Sequence, residues 1–181
     1  GSTFLLSAIL QKQTGLNSLL FAEKYLFGPL GILGIDWPSN PQGISIGYGG
    51  LDMHPQDLAK IGYLYLNNGL WEDKQIISTQ WIQDSTHKYI SATESFGYGY
   101  KWWTTNSNEY YAMGYGGQYI FVVPDHNIIA VFTGNLDRKD WNIPKDFLKS
   151  NIISSVKSDK PLPEDAQAKE VLQSKITRWQ N

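Results

Sequence analysis

The chain has no cysteine among its 181 residues. That excludes disulfides, thiolate nucleophiles and cysteine-based metal sites, and it is compatible with any compartment, so localisation stays open. Histidine is scarce: His54, His87 and His126 lie far apart and match no metal-ligand spacing. Charged residues make up only 18% of the chain and the net charge is −2. Its lysines and arginines are scattered, so the basic stripe of a nucleic-acid binder is missing. No apolar run approaches the roughly 20 residues that a membrane-spanning helix needs. Residues 1–15 lack the basic start and cleavage site of a signal peptide and read as the interior of a domain. Neither a metal nor a cofactor is expected.

What the chain does have is hydrophobic and aromatic mass, at 41% and 14%. At this length that predicts one domain with a sizeable core. Apolar spacing predicts a helix over 3–13, capped by Thr3, stopped by Gly15, with Leu5, Leu6, Ile9 and Leu10 on one stripe. Asn17 caps a second helix, which FGPLGILG breaks. Residues 34–50 form a long Pro/Gly loop whose Trp37 and Tyr48 argue for docking rather than disorder. His54-Pro55 opens the clearest helix, because proline suits the first helical position. Its buried stripe is Leu58, Ile61, Leu64 and Tyr65, and Gly69 stops it. Ser78 caps a short helix after that.

Strand patterns follow at 97–104, 109–115, 118–124 and 127–133, three of them joined by short turns. A helix from Asn142-Ile143-Pro144 places Leu148, Ile152 and Val156 on one face. After a KPLPED spacer, a last amphipathic helix carries Val171, Leu172, Ile176 and Trp179. Helices before and after an antiparallel meander predict an α+β fold. Three or four strands make a small sheet for this length, so the fold is expected to be incomplete.

The most informative stretch is YAMGYGGQYIFVVPDHNIIAVFTGN, residues 111–135. Gly114, Gly116 and Gly117 surround Tyr115. Glycines at a strand end mark a bulge or a close backbone approach. Bare main chain of this kind can aim N–H groups at a ligand oxygen, as an oxyanion hole does. On the glycines alone, a tightly packed barrel corner or hairpin is the favoured reading.

Taken with GYGGLDMHPQDLAKIGYLYLNNGLWEDKQIISTQWIQDST, this stretch resembles the serine β-lactamase-like hydrolases. That family includes class C β-lactamases, DD-peptidases, family VIII esterases and nylon-oligomer amide hydrolases. The likeness spans nearly the whole chain, and SDKPLPEDAQAKEVL resembles the tail of one subgroup. His54 stands where the family has a threonine.

The resemblance implies three motifs: Ser-x-x-Lys, in which the amine takes the hydroxyl proton; Tyr-x-Asn or Tyr-x-Ser, which relays it; and a Lys/His-x-Gly strand that walls the acyl pocket. Leu5-Leu6-Ser7 resembles the helix just after the second motif. Residues 1–181 would then be the C-terminal part of one domain, with 157–181 as linker and terminal helix. The nucleophile would come from an upstream N-terminal portion of the same protein, and the fragment alone would be inactive.

Gly114-Tyr115-Gly116 aligns with the third motif, which makes the Gly117 N–H the implied oxyanion donor. Gln118, Trp37 and Tyr48 are candidate substrate contacts. Tyr98, Trp102 and Trp103 are further aromatic candidates, although Trp102 and Trp103 should point to opposite faces of a strand. Glycine at 114 removes the family's cation, a loss worth about ten- to a hundredfold for a carboxylate ligand. A neutral ester or amide is therefore the expected small-molecule substrate.

Two Ser-x-x-Lys strings do occur, at Ser85–Lys88 and Ser154–Lys157. Both lie near predicted helix ends, and such short strings arise readily by chance. Asp36, Asp57 and Asp125 each have a simpler local reading, Asp57 in a helix first turn and Asp125 in a turn. The alternative class is a non-catalytic binding module or pseudoenzyme of the same fold. Exposed sheet edges also leave a homo-oligomer open.

Overall fold

The computed structural model describes residues 1–160 and 162–180, and the side chains of Trp179 and Gln180 fall outside that description. Pro161 of the spacer and the Trp179 side chain of the last predicted stripe therefore lie outside the described residues.

The chain opens with α1 (Ser2–Thr14), which ends where Gly15 turns left-handed. Gly1 rather than Thr3 precedes the first turn, so Thr3 lies inside the helix. Asn17 caps α2 (Ser18–Ala22) by accepting from the Leu20 N–H at 2.9 Å. A wider turn over Glu23–Phe27 follows. The loop over 34–50 is ordered: Trp37 donates its indole N–H to the Ile46 carbonyl at 2.9 Å.

Next comes α3 (Pro55–Leu66), with Pro55 at its first position and no side-chain cap from His54. A short hairpin, β1 (Leu70–Trp71) and β2 (Lys74–Gln75), leads to α4 (Thr79–Thr86), which Ser78 caps.

Six strands then form one antiparallel sheet in sequence order: β3 (Ile90–Ser91), β4 (Phe96–Tyr98), β5 (Trp103–Thr105), β6 (Tyr110–Gly114), β7 (Gln118–Val123) and β8 (Ile128–Phe132). The single strand expected over 97–104 is instead two, β4 and β5. A reversal at 99–102 separates them, where the Gly99 N–H bonds Trp102 O and Lys101 takes φ 71°. Tyr100 ties the same turn to α4 through its N–H to the Ser85 carbonyl at 2.9 Å. Propensity favours strand throughout this run, and the tertiary tie decides against it.

The sheet is clad on both faces. Ile120 and Val122 of β7 pack with Leu58, Ile61 and Tyr65 of α3. Tyr119, Phe121 and Val123 point the other way, toward Leu148 and Ile152. Burial on both sides explains why β7 reads as an unbroken apolar run. Gly62 lets α3 come this close: a Cβ there would meet Ile129 Cγ2 at 2.6 Å. The second cladding layer is α5 (Ile143–Phe147), a wider turn over Leu148–Ile152 and a short turn over Ile153–Ser155.

Two predicted apolar stripes are largely exposed, with Leu10 of the first half-buried. Leu5, Leu6 and Ile9 of α1 are 62%, 60% and 56% exposed, and α1 buries Ser7 instead. Periodicity identified the stripe but could not say which neighbour covers it. Val171, Leu172 and Ile176 of α6 (Ala166–Gln180) are likewise exposed.

Candidate active site

The tip of the β6–β7 hairpin builds the site. Gly114 pairs with Gln118 across the two strands, and residues 115–117 make the turn between them. Gly116 and Gly117 take φ 75° and 81°, the left-handed region that glycine enters without strain. Neither N–H donates to a main-chain acceptor, because both residues lie outside the strand ladder. The Gly116 carbonyl accepts from the Leu136 N–H at 2.9 Å, and Gln118 Nε2 donates to the Gly134 carbonyl at 2.7 Å. The segment after β8 thus holds the turn from behind.

Its support continues outward. Trp141 donates its indole N–H to the Leu136 carbonyl at 3.1 Å, and the Tyr119 hydroxyl donates to the Trp141 carbonyl at 2.8 Å. Tyr115, 83% exposed, meets the Trp141 ring edge-on at 5.6 Å.

A cleft of about 570 Å³ opens beside this hairpin. Gly114 and Gln118 line it, whereas Gly116 and Gly117 are buried and do not. Tyr48 also lines it, from the long loop, and Tyr98 and Trp103 come from β4 and β5. Trp37 lines a neighbouring apolar groove between α1, α2 and α3, together with Leu6, Phe21 and Leu26. Trp102 is only 5% exposed and packs at 4.3 Å from the Tyr65 ring, on the face opposite Trp103. Of the candidate substrate contacts, the cleft therefore joins Gln118 and Tyr48 and leaves Trp37 outside.

Burial raises both Tyr98 and Tyr119 above the ordinary tyrosine value. The one lining residue with a formal charge is Lys101. Sequence reading missed it because residues 97–104 look like one strand. Gly97 and Gly99 flanking Tyr98 were the available signal for a break there.

The two serine decoys are occupied elsewhere. Ser85 is 1% exposed and donates to the Ile82 carbonyl at 3.1 Å. Ser154 donates to the Ser150 carbonyl. Asp57 pairs with Lys60 at 2.8 Å, and Asp125 accepts from Asn108 at 3.0 Å. Asp36 bridges Asp52 through the main chain. His87 meets the Tyr89 ring at 4.8 Å, and His126 sits in the turn before β8. Among the described residues, no group of three His, Asp or Glu could hold a metal ion. No described helix is long and apolar enough to cross a membrane.

Solved structures share this fold. A putative 6-aminohexanoate-dimer hydrolase from Bacillus anthracis matches 87% of the chain with a TM-score of 0.74 and 19% identity. A penicillin-binding-protein homologue from Caulobacter crescentus matches 75% with a TM-score of 0.59 and 12% identity. Simvastatin synthase from Aspergillus terreus matches 80% with a TM-score of 0.62 and 10% identity. At these identities the likeness establishes the fold alone. The chain covers 44%, 51% and 51% of those three proteins, about half of each. No curated protein matches it. The Beta-lactamase family model matches residues 1–148, which include the whole sheet, α1 to α5 and the hairpin tip, and the chain belongs to that family.

Proposed function

We propose that the chain is the C-terminal part of a β-lactamase-like domain that hydrolyses an ester or amide through an acyl-enzyme. Residues 157–181 would be its linker and terminal helix. The observation that carries this reading is the hairpin tip, where Gly114 and Gln118 wall an aromatic-lined cleft and the Gly116 and Gly117 N–H groups, buried behind that wall, stay out of sheet pairing. A fixed main-chain donor of this kind stabilises negative charge on an acyl oxygen without reorganising. Gly114 and Gln118 form the adjoining pocket wall, and Tyr48 closes it from the loop.

The nucleophilic serine, its lysine and the tyrosine relay would come from the upstream portion of the same protein. Ser85 and Ser154 each donate to a main-chain carbonyl and Ser85 is buried, which supports a nucleophile from outside this chain. Fluorophosphonate labelling tests this directly. The 181-residue chain should remain unlabelled, and the protein including the preceding gene sequence should label at an upstream serine and turn over p-nitrophenyl butyrate. Labelling at Ser85 or Ser154 would overturn the assignment, as would an upstream sequence without Ser-x-x-Lys.

A further inference from the structure

We infer that Lys101 is the carboxylate-binding residue of the cleft, which makes the substrate an ester or amide that itself carries an acid group. Resting on the reading of the cleft as an acyl pocket, this assignment revises the neutral substrate that Gly114 alone suggested.

Three observations carry it. The first is charge: Lys101 is the single ionic residue among the fourteen lining the cleft, and no carboxylate faces it there. A cleft of one sign with low-dielectric walls draws in ligands of the opposite sign. The second is lack of a partner: the ion pairs among the described residues use Lys60 and Lys169, and none of those residues gives the exposed Lys101 ammonium an acceptor. The third is backbone. Lys101 holds φ 71° in the turn between β4 and β5. A non-glycine residue there is uncommon and costs free energy that glycine would not. That cost falls on a residue that lines the cleft, and backbone strain tends to gather at ligand sites.

Shape agrees with charge. Gly114 shares the cleft with Lys101 and contributes no side chain, and the Gln118 side chain lies against it, where a Cβ would meet Gln118 Cβ at 3.2 Å. Tyr98 and Trp103, edge-to-face at 5.0 Å, offer an aromatic wall for the apolar body of the ligand. The favoured ligand thus pairs an apolar or aryl body with a terminal carboxylate.

Binding of phenylacetate and phenylacetamide to the protein including its upstream portion, followed by calorimetry, tests the assignment without needing turnover. Phenylacetate should bind about ten- to a hundredfold more tightly, and the preference should shrink as salt is raised. Lys101→Gly should remove the preference while leaving the melting temperature unchanged or higher, because glycine relaxes the turn. Lys101→Arg should retain it. Equal affinity for the two probes, no binding of either, or a preference that survives in Lys101→Gly would overturn the proposal. In the longer protein, p-nitrophenyl butyrate turnover tests the hydrolase reading separately. Loss of turnover with the binding preference intact sinks only that reading.

Discussion

Lys145 holds its ammonium 4.8 Å from the centroid of the Tyr111 ring. Phe96 and Tyr119 stand at 4.9 Å and 5.9 Å from the same nitrogen. The contact pins α5 to the aromatic face of the sheet, close to the strands that carry the hairpin tip. Burial lowers the Lys145 pKa, Lys149 lowers it further, and Asp146 partly opposes them.

That lowering sets a direction with pH. The unfolded chain keeps the Lys145 proton up to the ordinary lysine range, and the folded chain releases it earlier. Between those two points the unfolded state binds more protons, so this residue's contribution to stability rises with pH. Lys145→Met should keep the packing and remove that alkaline rise; the lost cation–π contact costs about 0.5–1 kcal/mol, and relief of the desolvated charge opposes that cost. Urea unfolding from pH 7 to pH 10 reads both effects. An identical pH dependence in the variant would refute the assignment.

Tyr110 and Tyr111 act in the opposite sense. Burial raises each to about 12, with smaller contributions from Tyr65 and Tyr119 respectively. Their contribution is whole below the unfolded tyrosine value near 10 and is lost as pH rises toward 12. Tyr110→Phe and Tyr111→Phe should each flatten the alkaline fall in melting temperature. Tyr110 also gives up a hydrogen bond to the Tyr65 carbonyl at 3.2 Å, a neutral-pH cost of about 0.5–1.5 kcal/mol.

Gly117→Ala should destabilise the hairpin tip. An alanine at φ 81° would carry the left-handed penalty of about 1–2 kcal/mol, and its Cβ would meet Leu136 Cδ1 at 2.8 Å. The double variant Gly117→Ala with Leu136→Ala relieves the clash and keeps the backbone penalty. Its melting temperature should exceed the sum of the two single effects. Strict additivity would show that the glycine and the leucine do not crowd one another.

The α1 stripe predicts behaviour in solution. Leu5, Leu6 and Ile9 expose more than half of their surfaces, and contiguous apolar patches promote association. The isolated chain should elute from size exclusion as a concentration-dependent mixture. Leu6→Glu with Ile9→Lys should restore a monomer with little change in stability, since neither side chain is buried. A sharp monomer without these substitutions would count against the prediction.

Local chemistry was legible wherever one residue type performs one geometric task. Asn17 and Ser78 cap, Pro55 opens α3, Gly15 ends α1, and the apolar run of β7 marks a strand covered on both sides. The family likeness was legible for the same reason, because it rests on ordered local segments. What needed the folded chain was every contact between elements. Residues 97–104 carry a strand pattern throughout, and their break into two strands is tied to another element by the bond from Tyr100 to the Ser85 carbonyl of α4. The same break brings Lys101 to the cleft, moves Trp102 into the core and leaves Trp103 on the cleft wall. Side-chain periodicity fixes which residues share a face. Which face meets a partner, a cavity or solvent depends on packing partners distant in sequence, and short-range pattern holds no record of them.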